Sequence, residues 1–572
     1  MKHINLTKFL ISKIVMRILK LMFVAALGVV ILASCSSVKN LAVPTMNTAV
    51  SVTAKKGALS DEQFNHWAHA DLVTDTIPGM SVNKAYNFLE GKKGEIVIVA
   101  VIDSGIDIEH EDLKDELWTN PKEIAGNNID DDKNGYVDDI YGWNYLGGNG
   151  DPAPEQLEIT RILAKLNSRF EGKTVADINE NEEADFKQYE EYIEAYKASG
   201  NKYFQERNTL EQFSRILEVF AVVKEYIGKE SITVEDLQAI KTDDKRIEAF
   251  TDGLTALMND GYDENAISEM LDVDRLETLR KNKNYDFDFD GRAIVGDNPE
   301  DITDVNYGNP FVIGSKDEES HGTHVAGIIL ATRNNNVGLN GVANNAKLMS
   351  LRAVPDGDER DKDVALAIRY AADNGAKVIN MSFGKNYSPN REWVIDAIKY
   401  AESKDVLLVH AAGNDHKDID RSENWPNDSL DKINEVADNV LTIGAMSVNY
   451  NENLLATFTN YGQKNVDIFA PGVQIYSTIP NNEYARYSGT SMASPEVAGV
   501  AALVRSYYPQ LSASQVKHII MNSGTELDME VLLPGEKEEK IEFSKLSITG
   551  KVANAYNALV LADKMVNKGK IL

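Results

Sequence analysis

Four short apolar runs, separated by stretches with helical periodicity, constrain the fold of this 572-residue chain more than any other feature. Each run is rich in β-branched residues and ends in small or polar residues, as buried parallel strands do. The runs are EIVIVAVIDSGID (95–107), AKVINMSFG (376–384), DVLLVHAAGN (405–414) and NVLTIGAMS (439–447). The stretches 363–375 and 392–405 carry apolar stripes at helical spacing. This alternation predicts an α/β fold, a mostly parallel β-sheet flanked by helices. Binding sites in such sheets lie at the carboxyl edge.

A charged block interrupts the alternation between residues 155 and 283. Segments such as LEQFSRILEVFAVVKEYIG (210–228) carry apolar residues at helical spacing, and strand signals are few. Thr233 stands three residues before Asp236, which is a helix-capping pattern. We therefore expect a large all-helical insertion over residues 151–285. The sequence of the insertion is compatible with a purely structural role, and also with partner binding or with control of access to the site.

The first 35 residues have the pattern of an export signal. Five basic residues and no acid precede the apolar run LMFVAALGVVILASC, which ends at Cys35. Leu-Ala-Ser-Cys resembles a bacterial lipobox, which implies a signal peptide over residues 1–34 and acyl chains on Cys35. We expect a polar tether over residues 35–84 and a lipid anchor in the bacterial cell envelope, on the outer membrane. A short transmembrane anchor is the alternative.

The charge balance bears on possible partners. The chain has 59 Lys and Arg against 89 Asp and Glu, a formal net charge of −30. Nucleic-acid binding needs clustered basic residues, so we expect no nucleic-acid partner. An acidic body is compatible with divalent cations and equally with simple solubility.

Four residues with catalytic chemistry stand at the ends of predicted strands or the starts of predicted helices. Asp103 and Asn414 end apolar runs, whereas His321 and Ser491 precede apolar helical runs. Such a set can transfer acyl groups. A serine needs a base, a histidine acts as one when a carboxylate holds its other nitrogen, and amide donors stabilise an oxyanion. The small residues of SGTSMASPEVAG (488–499) would let a substrate carbonyl approach Ser491.

The surrounding motifs resemble those of the subtilisin-like serine proteases, the subtilases. VIDSGID matches that family's aspartate motif, HGTHVAG its histidine motif, GTSMASP its serine motif, and AAGN the segment with its oxyanion asparagine. The resemblance covers roughly residues 85–150 and 286–565, which implies a discontinuous catalytic domain with a subtilisin-like fold. It implies a serine endopeptidase acting on protein or peptide substrates, without an organic cofactor.

The resemblance also implies a role for each residue. Asp103 orients His321, which takes the proton from Ser491 and later gives it to the leaving amine. Ser491 forms the acyl-enzyme, while the Asn414 side chain and the Ser491 backbone N–H stabilise the oxyanion. Six further residues are implied in substrate binding: Ser382, Phe383 and Gly384 as a strand beside the substrate, and Ala411, Ala412 and Gly413 as a wall of the first specificity pocket.

The chain departs from the family's pattern in three places. Asp103 and His321 are 218 residues apart, much more than in compact members. Glu496 stands where many members carry histidine. The stretch 36–84 is short for the family's inhibitory pro-region, which implies a different route of folding and activation.

An acidic loop suggests a Ca²⁺ site. NIDDDKNGYVDDIYG (128–142) resembles the start of a calcium loop. The expected ligands are Asp130, Asp132, Asn134, the Tyr136 carbonyl and, because the usual twelfth acid is missing, Asp139 or its neighbour Asp138. A plain acidic turn is the alternative. A second acidic run, YDFDFDG (285–291), is a weaker candidate.

Two other functions compete with proteolysis. His321 and His324 could bind zinc, but no third ligand is suggested and the serine segment would stay unexplained. A catalytically silent, protease-like binding lipoprotein is the other alternative, because fold does not imply function.

Overall fold

The computed structural model describes residues 42–52 and 57–567, which form two units. The first unit contains the described residues up to Ala153 and from Gly291 onward, and the second contains Pro154–Asp290. The predicted signal peptide and Cys35 lie outside the described residues.

The strands of the described residues all belong to the first unit. They are β1 (Ala49–Val50), β2 (Val97–Asp103), β3 (Gly142–Asn144), β4 (Ala346–Arg352), β5 (Val378–Met381), β6 (Leu407–Ala411), β7 (Val440–Met446), β8 (Ile468–Pro471), β9 (Ile475–Ile479), β10 (Glu483–Tyr487), β11 (Thr525–Leu527), β12 (Glu530–Leu532), β13 (Lys540–Glu542) and β14 (Lys551–Val552).

Ten of these strands form one sheet in the order β1-β11-β14-β8-β7-β6-β5-β2-β4-β3. Every neighbouring pair in it is parallel except β11 and β14. The predicted mostly parallel sheet is therefore confirmed. The four predicted strands are present as β2, β5, β6 and β7, each shorter than its apolar run because the run continues into a loop.

Helices lie in both units. The first unit contains α1 (Asp61–Asn65), α2 (Val82–Leu89), α9 (His321–Leu330), α10 (Asp361–Asp373), α11 (Arg391–Ser403), α12 (Thr490–Tyr507), α13 (Ala513–Ser523) and α14 (Ala555–Asn567). The second contains α3 (Glu158–Phe170), α4 (Glu183–Ile227), α5 (Val234–Gln238), α6 (Lys245–Asn259), α7 (Glu264–Met270) and α8 (Val273–Lys281).

Both faces of the sheet are buried, which explains why the strands read as continuous apolar runs. In β2, Val99 and Val101 pack with Val325 of α9 and with α12 on one face. Ala100 and Ile102 pack with residues of α10 and α11 on the other. Because α12 is apolar on nearly all sides, it is buried along most of its length. This burial holds the start of α12 close to the carboxyl edge of the sheet.

The stretch before β2 is folded into the first unit, although a polar tether is predicted up to residue 84. Strand β1 pairs with β11 at the edge of the large sheet. Trp67, Met80 and Val82 are completely buried in the core. Met80 also accepts a backbone hydrogen bond from Ala555 at the start of α14.

The second unit is all-helical, as predicted. Helix α4 is continuous over 45 residues, which makes it about 68 Å long. It ends at Gly228, whose φ of +67° is the left-handed conformation typical of a helix C-cap. Thr233 and Asp236 form the predicted capping box. Phe220 and Val223 form a small core with residues of α5 and α6.

Across residues 42–52 and 57–567, no helix combines the length and apolar character needed to span a membrane.

Candidate active site

Asp103 is the last residue of β2 and is buried, with 1% of its surface exposed. Its Oδ1 accepts a hydrogen bond from the backbone N–H of Ser104 at 2.8 Å and lies 2.8 Å from Nδ1 of His321. A buried carboxylate in this position selects the tautomer in which Nδ1 carries the proton and Nε2 is free to accept one.

His321 begins α9, so its side chain projects from the first turn of a helix packed on the sheet. The next residue must be small, because a Cβ on Gly322 would lie 2.3 Å from the carbonyl oxygen of Gly105. Burial disfavours the charged imidazole, but the Asp103 carboxylate outweighs it and raises the pKa of His321 above its usual value. The side chain stays 38% exposed, which leaves Nε2 accessible.

Ser491 lies in the first turn of α12. Its hydroxyl donates to the carbonyl of Ser382, just after β5, at 3.1 Å. The Ser382 hydroxyl in turn donates to the carbonyl of Ser491 at 2.9 Å, and it accepts from the side chain of Asn380. This reciprocal pair ties the start of α12 to the loop after β5.

Asn414 follows β6 and has a fixed amide orientation. Its Oδ1 accepts from both the backbone N–H and the hydroxyl of Thr490, at 2.9 and 3.0 Å. The amide nitrogen therefore points the other way. A Cβ built on Gly489 would lie 3.6 Å from Asn414 Nδ2 and 3.6 Å from the backbone nitrogen of Ser491. Two nitrogen atoms that carry N–H groups thus lie beside the same space next to Gly489, and an oxyanion site needs such a pair of donors.

Two short segments face each other beyond the ends of β5 and β6. Ser382, Phe383 and Gly384 follow β5, and Ala411, Ala412 and Gly413 end β6 or follow it. Asn424 lies between them, because its Oδ1 is 4.0 Å from a Cβ built on Gly384 and 3.2 Å from one on Gly413.

His410, in β6, supports the first of these segments. Burial lowers the pKa of His410 to about 4, so the ring is neutral. It donates its Nε2–H to the carbonyl of Phe383 at 2.8 Å.

His324 is structural in this arrangement. Its ring is buried and stacks on Tyr487, with centroids 4.4 Å apart. Its Nε2 donates to the carbonyl of Ala485 at 3.1 Å, and burial lowers its pKa to about 3. Within the described chain, the one cluster of His, Cys, Asp and Glu with metal-binding spacing contains neither His321 nor His324. The arrangement therefore gives the zinc alternative no support.

That cluster consists of Glu123, Asp130 and Asp132, with one carboxylate oxygen from each within 4.8 Å of the others. Among described residues, Oε2 of Glu123 has no hydrogen-bond partner. Glu123 was not predicted, because a single acid seven positions before Asp130 has no recognisable spacing. Oxygen ligands of this kind suit Ca²⁺.

The other predicted metal ligands are placed differently. Asp139 is buried, and its oxygens accept from Asn120, Asn134 and Tyr370. The Asn134 side-chain oxygen accepts from the backbone N–H of Tyr136 at 2.7 Å. Asp139 thus holds the loop through hydrogen bonds to protein groups, whereas the three clustered carboxylates come from residues that precede it in the loop.

Glu496, five residues after Ser491, is almost completely buried. Burial raises the pKa of its carboxyl well above the usual value, because the charged form loses its hydration there. Its Oε2 and the indole N–H of Trp67 have no hydrogen-bond partner in the described part of the chain. Both residues line a cavity of about 20 Å³, room for about one water molecule.

Comparison with known proteins agrees with the geometry. The model described as the subtilase family matches residues 94–540. Over 220 residues the chain is 42% identical to a thermophilic serine proteinase of Bacillus sp. (strain AK1), a stretch covering 38% of this chain and 48% of the relative. It is 37% identical over 227 residues to subtilisin DY of Bacillus licheniformis, covering 38% of this chain and 77% of that one.

The matched stretch thus spans about half of the thermophilic proteinase. A solved protease structure from Pseudoalteromonas arctica aligns with a TM-score of 0.34 and 27% identity, over 42% of this chain and 70% of that chain.

Proposed function

The chain belongs to the subtilase family of serine endopeptidases, and from that premise we propose that it hydrolyses peptide bonds in proteins or peptides with Ser491 as nucleophile. The observation that carries the proposal is the hydrogen bond between Asp103 and His321, which prepares Nε2 of His321 to act as a base.

In the proposed reaction, the Ser491 hydroxyl turns from the carbonyl of Ser382 toward the imidazole of His321. His321 takes the proton as Oγ attacks the scissile carbonyl carbon, and the carbonyl π electrons move to its oxygen. When the C–N bond breaks, the same proton passes to the leaving amine. Water then attacks the acyl-enzyme. His321 takes a proton from this water and returns it to Oγ of Ser491 as the acyl group leaves.

The two donors beside Gly489 would stabilise the negative oxygen. The Asn414 side chain is held by Thr490, and the Ser491 N–H lies in the first turn of α12, where N–H groups have no acceptor within the helix. Both donors are oriented before the substrate arrives, so no reorganisation is needed during the reaction.

Substrate would bind beside the two segments already described. We propose that Ser382, Phe383 and Gly384 pair with the substrate backbone as an added strand. Ala411, Ala412 and Gly413 would form one wall of the pocket for the residue before the scissile bond. Asn424 lies between these segments, where its side-chain amide can contact that residue.

We also propose that the loop of residues 120–139 binds Ca²⁺. The chemistry of the donor set supports this, since three carboxylates converge and one buried oxygen lacks a protein partner. Glu123, Asp130 and Asp132 would hold the ion. Bound Ca²⁺ would stabilise the loop and take no part in peptide hydrolysis.

Export and lipid attachment at Cys35 complete the proposed function. They rest on the sequence pattern of residues 1–35. Membrane attachment would place proteolysis at the bacterial cell envelope. To test this, cells are grown with a fatty-acid label, which should be incorporated into the wild-type chain and not into its Cys35→Ser variant.

Covalent labelling tests the catalytic proposal. The purified chain is treated with a fluorophosphonate, and the modified peptide is identified by mass spectrometry. We expect a label on Ser491 that is absent from Ser491→Ala and His321→Ala. If the folded protein takes no label and cleaves no peptide in a diverse library, the result supports the alternative of a catalytically silent binding lipoprotein.

A further inference from the structure

Arg352 ends β4, in register with Asp103 at the end of β2. Its side chain is completely buried. The guanidinium donates to three backbone carbonyls, those of Ser104 at 2.8 Å, Gly147 at 3.1 Å and Asp151 at 2.8 Å. It also donates to both carboxylate oxygens of Glu319, at 2.9 and 2.8 Å.

One side of this network reaches Asp103. Ser104 accepts from Arg352 through its carbonyl and donates through its N–H to Oδ1 of Asp103. The backbone carbonyl of Asp103 accepts from Ala353, the residue after Arg352, at 3.0 Å. The two peptide units that follow Asp103 are therefore held by the end of β4.

The other side of the network reaches His321. Glu319 stands two residues before His321, and its carboxylate also accepts from the backbone N–H groups of Ala153 and Ser315, each at 2.9 Å. The approach to this carboxylate is tight, because a Cβ on Gly314 would lie 2.1 Å from Oε2 of Glu319. The turn that leads into α9 is thus fixed by the same ion pair.

Stability alone is a weak reason for such a pair. Burying two charges costs desolvation free energy, and well-packed apolar residues often replace buried ion pairs without loss. Geometry is a stronger reason, because a guanidinium fork fixes several acceptors in one plane. The turns beside Asp103 and His321 belong to segments 218 residues apart, so no short covalent link aligns them.

We propose that Arg352 and Glu319 are positioning residues for catalysis, which set the placement of the Asp103 turn relative to the His321 turn. Asp151 and Ala153 join the same network just before the chain enters the helical unit. The same ion pair therefore also holds the residues at which the chain leaves the first unit for the 137 residues of the second. This inference rests on the proposed proteolytic function.

The test compares three variants of the full chain. Arg352→Lys keeps the charge and removes the fork, and Glu319→Gln keeps the size and removes the charge. Arg292→Lys is the matched control, because Arg292 is also buried and bonds two carboxylates, Asp297 and Asp363. For each, the rate of fluorophosphonate labelling of Ser491 is measured against pH, and the melting temperature is recorded.

We expect Arg352→Lys and Glu319→Gln to label about 10- to 100-fold more slowly, as small misplacements of catalytic groups do. The pH inflection should also move lower, because His321 loses part of the influence of Asp103. Arg292→Lys should lose stability but keep the wild-type inflection. Wild-type labelling in the folded Glu319→Gln variant would overturn the proposal, and so would an equal shift of the inflection in Arg292→Lys.

A second readout separates this inference from the proposed function. The Nδ1 proton of His321, bonded to Asp103, should give a low-field proton NMR signal in the Ser491→Ala background, which needs no catalysis. The signal should persist with Arg292→Lys and weaken or vanish with Glu319→Gln. If the wild-type chain takes no label, the proposed function fails, and this signal still decides whether Glu319 positions the dyad. An unchanged signal in Glu319→Gln contradicts it.

Discussion

Nδ1 of His321 lies 2.8 Å from Oδ1 of Asp103, although 218 positions separate the two residues in the chain. The sheet makes this possible, since β2 carries Asp103 and α9 packs on the same strand through Val325. A long insertion between the two residues is tolerated because both of its neighbouring segments belong to the same unit.

The Asp103–His321 hydrogen bond should control the rate of peptide hydrolysis. An asparagine at position 103 can hold the wrong imidazole tautomer, so Asp103→Asn should lower the peptidase kcat by about 10⁴-fold. Its circular dichroism spectrum should match the wild type. A variant with near wild-type kcat would show that Asp103 does not orient the base.

The pH dependence of peptide cleavage should follow His321. Its pKa is raised in the folded chain, and only the neutral ring can accept the serine proton. Activity should therefore be low while the ring is charged and rise with pH through an inflection above the ordinary histidine value. Measuring kcat/KM against pH checks this. An inflection below that value would mean that burial outweighs the carboxylate.

Gly489→Ala should separate folding from catalysis. Its φ of 166° is extended backbone open to any residue, and the new Cβ would meet its neighbours at 3.6 Å or more. The variant should fold normally. The methyl group would nonetheless occupy the space between Asn414 Nδ2 and Ser491 N, so kcat should fall by about 10²- to 10³-fold, as when an oxyanion donor is lost. Asn414→Ala should show a loss of similar size.

Calcium should stabilise the chain through Glu123, Asp130 and Asp132. An ion at 100 times its Kd adds about 2.7 kcal/mol to the free energy of unfolding, so chelation should lower the melting temperature. Asp132→Asn should remove the response to added Ca²⁺. Glu392→Gln, at an exposed position on α11, should keep it. If neither Ca²⁺ nor chelator changes the wild-type melting temperature, the acidic loop is a plain turn without a bound ion.

Glu496 should make the folded state less stable as pH rises. Burial raises the pKa of the carboxyl well above the unfolded value of about 4.3, so between those two values the group is neutral when folded and ionised when unfolded. Folding then takes up a proton, and the free energy of unfolding falls by up to about 1.4 kcal/mol per pH unit from this group. Glu496→Gln cannot ionise, so its melting temperature relative to wild type should increase with pH. A constant difference between pH 5 and 9, roughly the range to scan, would contradict a buried neutral acid.

The features that follow local chemistry were predictable from the sequence. Buried parallel strands read as apolar runs, and polar residues at their ends marked the carboxyl edge where Asp103 and Asn414 lie. The capping pattern at Thr233 was read correctly for the same reason, since its hydrogen bonds join residues three apart.

The features that depend on distant contacts were not predictable. The sequence predicts a polar tether over residues 35–84, yet Trp67 and Met80 are buried against segments that lie hundreds of positions away. Nothing in the local spacing links Glu123 to Asp130. The partnership of Arg352 with Ser104 depends on strand register, which one sequence without its sheet does not reveal.

The pairing of β1 with β11 determines when, during synthesis of the chain, this edge of the sheet can form. Thr48 and Gly524, which are hydrogen-bonded beside these strands, are 476 positions apart. A chain that emerges from the ribosome amino end first presents β1 long before its partner exists, and such distant pairing is slow to form. The edge of the sheet therefore closes only after Ser491 and α12 have been synthesised.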